Sequence, residues 1–256
     1  MKRLLWCAAV PMLAGCSLVF DLDAYDRGAG GAGGAGATST STTVASAGGA
    51  GGAGGGEPAC EGTFTNPPLD AVVATFDAGF SPLAPQGSCV TVDAGTALFA
   101  PTAMPTDFCW VAVQGPHRLT CSSLTFRVLE ATNGVLGAQT FVYLQDASSG
   151  AEAYLLLEGG GFGLNRADGS APIPFMGSDV YSPDNDRWWR LRADLTTLYF
   201  ETSKDGVNWT LRAAGEPPVP LDSLLVQIGS GIYDALQGAP GQTRIDCVNA
   251  GPPCGE

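Results

Sequence analysis

Chemistry in this chain would have to come from carboxylates, arginines and aromatic rings. His117 is the only histidine. That excludes paired-histidine metal sites, and it makes any Ser-His-Asp relay depend on one residue following Pro116 in an expected turn. Asp184 and Asp186 flank Asn185, an oxygen-rich trio of the kind that ligates calcium from a loop. The stretch lacks the later ligands, glycine and closing glutamate of an EF-hand, so its other reading is a solvated turn. Glu152 and Glu158 lie on or beside one expected strand, too far apart to act as neighbours along it. The richest group is Trp188, Arg190, Arg192, Tyr199 and Arg212. Aromatic faces stack on sugar rings, and guanidinium forks bind hydroxyls or carboxylates. The plainer account of the same residues is a cross-strand ladder, with Arg190 against Glu201 and Tyr199 flanked by Arg192 and Arg212.

These residues need strands to position them. Short runs rich in Val, Leu, Phe, Tyr and Thr recur between Gly, Pro, Asn and Asp. They predict strands at Val72–Phe76, Cys89–Val92, Ala97–Phe99, Cys109–Val113, Leu124–Leu129, Thr140–Leu144 and Ala153–Leu157. Further strands are predicted at Gly161–Arg166, Trp188–Ala193, Leu198–Thr202, Val207–Arg212, Leu224–Ile228 and Arg244–Val248. No window shows a sustained helical period. So many strands exceed one open twisted sheet, and the expected fold is all-β, a two-sheet antiparallel β-sandwich or jelly roll. In the stretch from Arg187 to Arg212, a turn at Leu195-Thr196 sets Leu191 opposite Phe200 and Arg190 opposite Glu201. A turn at Asp205-Gly206 then sets Phe200 opposite Leu211 and Tyr199 opposite Arg212. Trp189, Leu191, Leu198, Phe200, Trp209 and Leu211 are thereby assigned to the core.

The run Arg187-Trp-Trp-Arg-Leu-Arg, then Thr197-Leu-Tyr-Phe-Glu-Thr-Ser, then Lys204-Asp-Gly-Val-Asn-Trp-Thr resembles the laminin-G-like branch of the concanavalin A-like lectin/glucanase superfamily. Leu225-Val-Gln-Ile-Gly-Ser-Gly-Ile and Thr243-Arg-Ile-Asp-Cys-Val are similar to its closing strands. The glycine usual in the first turn is absent at Asp194-Leu195-Thr196-Thr197. The resemblance implies a curved two-sheet jelly roll and leaves function open, because lectins, hydrolases, adhesion modules and scaffolds share it. Retaining glucanases of the superfamily carry E-x-D-x-E on one strand; no such triplet occurs here, so hydrolysis is the least favoured of the implied activities. Some laminin-G-like domains bind calcium through loop carboxylates, which is the role Asp184 and Asp186 would take; no other cofactor is expected.

The N-terminal quarter concerns address. Lys2 and Arg3 precede an uncharged run, Leu4 to Gly15, too short to span a bilayer and suited to a signal segment. It ends in Leu13-Ala14-Gly15-Cys16, which resembles the lipobox of bacterial lipoproteins. The resemblance implies removal of residues 1–15 and acylation of Cys16, an anchor built from several acyl chains. Residues 16–27 then form a lipid-anchored N-terminus, and Ser17 favours the outer membrane of a Gram-negative envelope in the sorting rule of that family. Residues 28–56 are Gly, Ala, Ser and Thr apart from Val44. Such a segment cannot bury enough surface to offset its ordering entropy, and a flexible chain of that length reaches about 30 Å.

Residues 57–256 form the expected β-sandwich domain. Six of the eight cysteines lie there: Cys60, Cys89, Cys109, Cys121, Cys247 and Cys254. An even count in an exported chain predicts three disulfides. A bridge from Cys60 to Cys247 or Cys254 is expected, tying the ends of the domain together. The formal net charge of −13 supplies no basic stripe for a nucleic-acid backbone, and it would repel anionic head groups, so attachment to a membrane rests on the lipid. The function expected is a cell-envelope lipoprotein displaying a noncatalytic, lectin-like module for a glycan or an envelope or extracellular partner. The alternative is a structural or accessory envelope protein without a small ligand.

Overall fold

A computed structural model describes residues 60, 62–132, 134–233, 239–252 and 254. The expected signal segment, Cys16, and the linker at 28–56 lie outside the described residues. The described strands are β1 (Leu83–Gln86), β2 (Val90–Asp93), β3 (Thr96–Phe99), β4 (Phe108–Val113), β5 (Ser122–Glu130), β6 (Ala138–Asp146) and β7 (Glu152–Glu158). They continue with β8 (Gly161–Arg166), β9 (Trp188–Ala193), β10 (Leu198–Ser203), β11 (Trp209–Gly215), β12 (Leu224–Ile232) and β13 (Thr243–Asp246). The strands form two antiparallel sheets. A six-stranded sheet has the order β1-β4-β12-β6-β7-β8, and a seven-stranded sheet has the order β11-β10-β9-β5-β13-β3-β2.

Alternation explains the layering. In β5, Ser122, Leu124, Phe126 and Val128 are buried while the residues between them are half-buried, as a strand with one face on a core requires. In β6 all nine residues are buried, so both of its faces are covered. The centre of the sandwich is aromatic. Phe162 of β8 lies 5.1 Å from Trp189 of β9 and 5.0 Å from Phe200 of β10, both edge-on. Phe126 of β5 sits 5.6 Å from Trp189. Such pairs contribute about 0.5–1.5 kcal/mol beyond their buried area, and the two that Phe162 makes join one sheet to the other.

The β9–β10 hairpin has the expected register, with Leu191 opposite Phe200 and Arg190 opposite Glu201. Asp194 makes the turn without glycine: its Oδ1 accepts the N–H groups of Thr196 and Thr197, each at 2.8 Å. The β10–β11 register corrects the sequence expectation. Ser203 pairs with Trp209 and Glu201 with Leu211, then a bulge sets Phe200 opposite Ala213 and Tyr199 opposite Ala214. The cause is the loop. Asp205 Oδ1 accepts N–H from Val207 and Asn208, so five residues rather than two bridge the strands, and a one-residue slip exchanges faces. Leu211 is therefore 38% exposed, Trp209 is half-buried outside the sandwich, and Ala213 takes the core position. Arg212 is the unpaired residue of the bulge, which re-aims its side chain.

The disulfides also differ from expectation. Cys60 pairs with Cys121, Cys89 with Cys109, and Cys247 with Cys254. Cys60 meets the residue just before β5 rather than the C-terminal segment, whose two cysteines close on each other. Cys89–Cys109 joins the start of β2 to β4, one sheet to the other. The segment predicted as a strand at Val72–Phe76 follows a 3₁₀ turn at Leu69–Ala71 and pairs through an isolated bridge from Ala74 to Val248. The unpredicted β1 is masked in the sequence by Pro82 and Pro85, which disguise a short edge strand.

Candidate functional site

The group foreseen from sequence is divided by the structure. On the outer side of the seven-stranded sheet, Glu201 sits between two arginines: Arg190 Nε donates to its Oε2 at 2.7 Å, and Arg192 donates through Nε and Nη2 at 3.0 and 3.1 Å. Arg190 stacks over the Trp209 ring at 4.1 Å and Arg192 over Tyr199 at 3.9 Å. The Tyr199 hydroxyl donates to Asp194 Oδ2 at 2.8 Å. The result is the ladder Trp209–Arg190–Glu201–Arg192–Tyr199, with the guanidinium donors and ring faces largely engaged by one another. Trp188 shares this side yet is 3% exposed. It packs with Cys247 and Cys254 beneath Gly206, where an added Cβ would press on the indole. Arg212 has left the group: it donates to Val180 O at 2.9 Å and faces Asp186 at 3.7 Å and the Phe162 ring.

The aspartates expected at a calcium loop diverge. Asp184 points to solvent, with Arg187 Nη2 at 3.6 Å. Asp186 is buried, accepting the Ser182 N–H at 2.8 Å and the Thr202 hydroxyl at 2.6 Å. No group of three or more His, Cys, Asp or Glu among the described residues could hold a metal ion. His117 sits in a bridge to the first residue of β12, its Nδ1 3.1 Å from Gly115 O.

The arrangement better suited to ligand chemistry lies on the outer face of the six-stranded sheet, and only the topology assembles it. Pairing sets Trp110 of β4, Gly229 of β12, Phe141 of β6 and Leu156 of β7 in one cross-strand row. The next row holds Ala112, Gln227, Tyr143, Tyr154 and Asn165. On the other side of the first, Gly231, Gln139 and Glu158 line up beside Phe108. Phe141, Tyr143 and Leu156 form a buried apolar cluster separate from the main core, walled by half-buried Phe108, Trp110 and Tyr154. Gly229 and Gly231 are spacing elements. A Cβ on the first would collide with Trp110, Phe141 and the Cys109 carbonyl, and a Cβ on the second would overlap the Phe108 ring.

Polar groups border the rings. Glu158 accepts from the Tyr233 hydroxyl at 2.8 Å, the Gly137 N–H at 3.1 Å and Gln139 Nε2 at 3.2 Å. Gln145 Nε2 reaches Glu152 at 3.4 Å. Burial, then the neighbouring Glu152, pushes the Tyr143 hydroxyl far above the ordinary phenol range, so it stays a donor at any physiological pH. Tyr154 is pushed up by burial, then by the charges of Asp168 and Glu152. Gln227 is 6% exposed, and its Oε1 has no hydrogen-bond partner among the described residues. Aromatic walls with a few fixed amides and carboxylates are the make-up of a small-molecule or sugar site. The sequence does carry a trace of this face in Gln139-x-Phe141-x-Tyr143-x-Gln145, a period-two array. The strand predicted at Thr140–Leu144 omitted both flanking glutamines.

No protein-family model matches the chain, and no curated protein matches it in sequence. Solved structures do. A β-glucanase from Bacillus licheniformis superposes with a TM-score of 0.51 at 8% identity, covering 69% of this chain and 95% of that one. A prokaryotic β-1,3-1,4-glucanase (lichenase) from a mouse hindgut metagenome gives 0.49 at 9% identity, covering 68% and 94%. Lectin I-B4 from Griffonia simplicifolia, in its metal-free form, gives 0.47 at 11% identity, covering 65% and 91%. The likeness to the Bacillus enzyme shows a common fold, the two-sheet concanavalin A-like sandwich, and at this identity it shows nothing further.

Proposed function

We propose that this domain is a noncatalytic glycan-recognition module, displayed by a lipid-anchored protein of a bacterial envelope. The observation that carries the reading is the outer face of the six-stranded sheet, where Phe108, Trp110, Phe141, Tyr143 and Tyr154 converge with glutamines along its rows. Half-buried Phe108, Trp110 and Tyr154, seated on the buried Phe141 and Tyr143, offer ring area to the C–H faces of a pyranose. Amides both donate to and accept from its hydroxyls.

A binding role is favoured over cleavage by the spacing of acids on that face. Glu152 and Glu158 stand six residues apart on β7, about 20 Å at the rise of a strand. Glycosidase acid pairs stand about 5–9.5 Å apart. Glu158 is moreover held by three donors. The envelope address rests on Cys16 and its lipobox, with the Gly/Ala/Ser/Thr segment as a spacer to the domain.

The test is a glycan array probed with the domain, with calcium and with chelator. Saturable binding that falls at least tenfold in Trp110→Ala, while Trp209→Ala binds normally, is the expected result. Release of reducing sugar, or loss in Trp209→Ala alone, would overturn the reading. Mass spectrometry of membrane-extracted protein tests the anchor, with an acylated Cys16 expected and an unmodified one counting against it.

A further inference from the structure

The outer face of the six-stranded sheet carries acceptors and acids but no base. Its outward positions on β1, β4, β12, β6, β7 and β8 are read from the pairing. They hold aromatic residues, glycines, alanines, leucines, an asparagine, four glutamines and two glutamates, and neither a lysine nor an arginine. Arg127, Arg190, Arg192 and Arg244 of the strands lie on the opposite side of the molecule, and Arg212 donates to Val180 O. Arg166, at the end of β8, turns away to donate to Pro218 O at 3.1 Å.

Two features of the face point to what it receives. Gln227, 6% exposed, holds an Oε1 that accepts no hydrogen bond from the described residues. A buried acceptor left unmatched costs about 1–3 kcal/mol, which a donor on a ligand would relieve. Glu152 and Glu158 stand at the two ends of the ring cluster on β7. Any chain lying across the rings between them passes two negative charges that no cation on the face offsets. Partly buried charges are screened by salt much less than exposed ones.

We infer that the face selects uncharged or amine-bearing glycans, recognised through a hydroxyl or amine that donates to Gln227 Oε1, and that it rejects glycans bearing carboxylate or sulfate groups. This rests on the glycan-binding reading above and narrows its ligand class.

The test is affinity gel electrophoresis of the full chain against matched neutral and anionic polymers: hydroxyethyl cellulose with carboxymethyl cellulose, and dextran with dextran sulfate. Retardation by a neutral member and at least tenfold weaker retardation by its anionic partner is expected. Glu152→Gln with Glu158→Gln should raise affinity for the anionic member several-fold. Asp184→Asn with Glu216→Gln, the same charge change away from this face, should not. Gln227→Leu should weaken the neutral polymer about tenfold while leaving the discrimination intact. Equal or stronger binding of the anionic polymer by the unaltered chain overturns this inference and leaves glycan binding standing. So does an equal gain in both double variants, which would mean bulk charge alone. If no polymer is retarded and the array is also empty, the glycan reading itself falls, and this inference with it.

Discussion

Glu201 shows how much one side chain holds in place. It is 6% exposed and is the only acid between Arg190 and Arg192. Glu201→Ala would leave two guanidiniums facing each other with no anion between them. Breaking a buried pair in this way costs about 3–5 kcal/mol. The arginines here keep some contact with water, so a loss of about 2–4 kcal/mol is expected, read from urea unfolding. Glu201→Gln should cost less. Gly231 makes the complementary case on the other sheet. Gly231→Ala would drive a methyl into the Phe108 ring, and overpacking of this kind costs about 1–3 kcal/mol. If the proposed glycan site is real, its affinity should fall along with stability, because Phe108 walls the ring cluster.

At the scale of elements, the turns that join β9 to β10 and β10 to β11 are built on aspartates rather than on glycine pairs. Asp194 is held below the usual carboxylate range chiefly by the Thr196 N–H, with the Tyr199 hydroxyl and the Thr197 N–H adding to it. Asp205 is held well below it, first by the N–H and side chain of Asn208, then by the Val207 N–H and the Ser203 hydroxyl. A folded-state value depressed below the unfolded one contributes stability that is complete above about pH 4, the ordinary aspartate value. That stability disappears as pH falls through the depressed values. Asp194→Asn with Asp205→Asn should therefore flatten the stability curve below about pH 4 while lowering its plateau, as thermal melts across pH 2 to 7 would show. These turns also mark how far local sequence can be read. The β9–β10 pairing followed from alternation and a two-residue turn. The β10–β11 pairing did not, because Asp205 caps a longer loop and the bulge at Arg212 has no signature in residue type. The ring cluster was less legible still. Trp110, Gly229, Phe141 and Leu156 are scattered over more than a hundred residues, and only the crossover of β12 into the sheet makes them neighbours. Trp188 looked like a binding aromatic because alternation reports a side chain's direction and not what lies over it.

For the whole molecule, the disulfides differ in what they restrain. Cys60–Cys121 spans 61 residues and Cys247–Cys254 spans seven. In the chain-entropy model these closures contribute about 4 and about 2 kcal/mol. Replacing Cys60 and Cys121 by serine should lower the melting temperature more than replacing Cys247 and Cys254. The second replacement should nonetheless produce the larger change in tryptophan emission, since Cys247 and Cys254 cover Trp188.

The order of strands has a further consequence, one of timing. β12 lies between β4 and β6, and β13 lies between β5 and β3. Synthesis from the N-terminus therefore leaves each sheet as two unjoined pieces until these late strands emerge. The last gap closes only with Thr243–Asp246. Pairings so distant in sequence form slowly. Until that strand emerges the nascent polypeptide is without its finished sandwich, the condition in which a chain can still be threaded through a narrow channel.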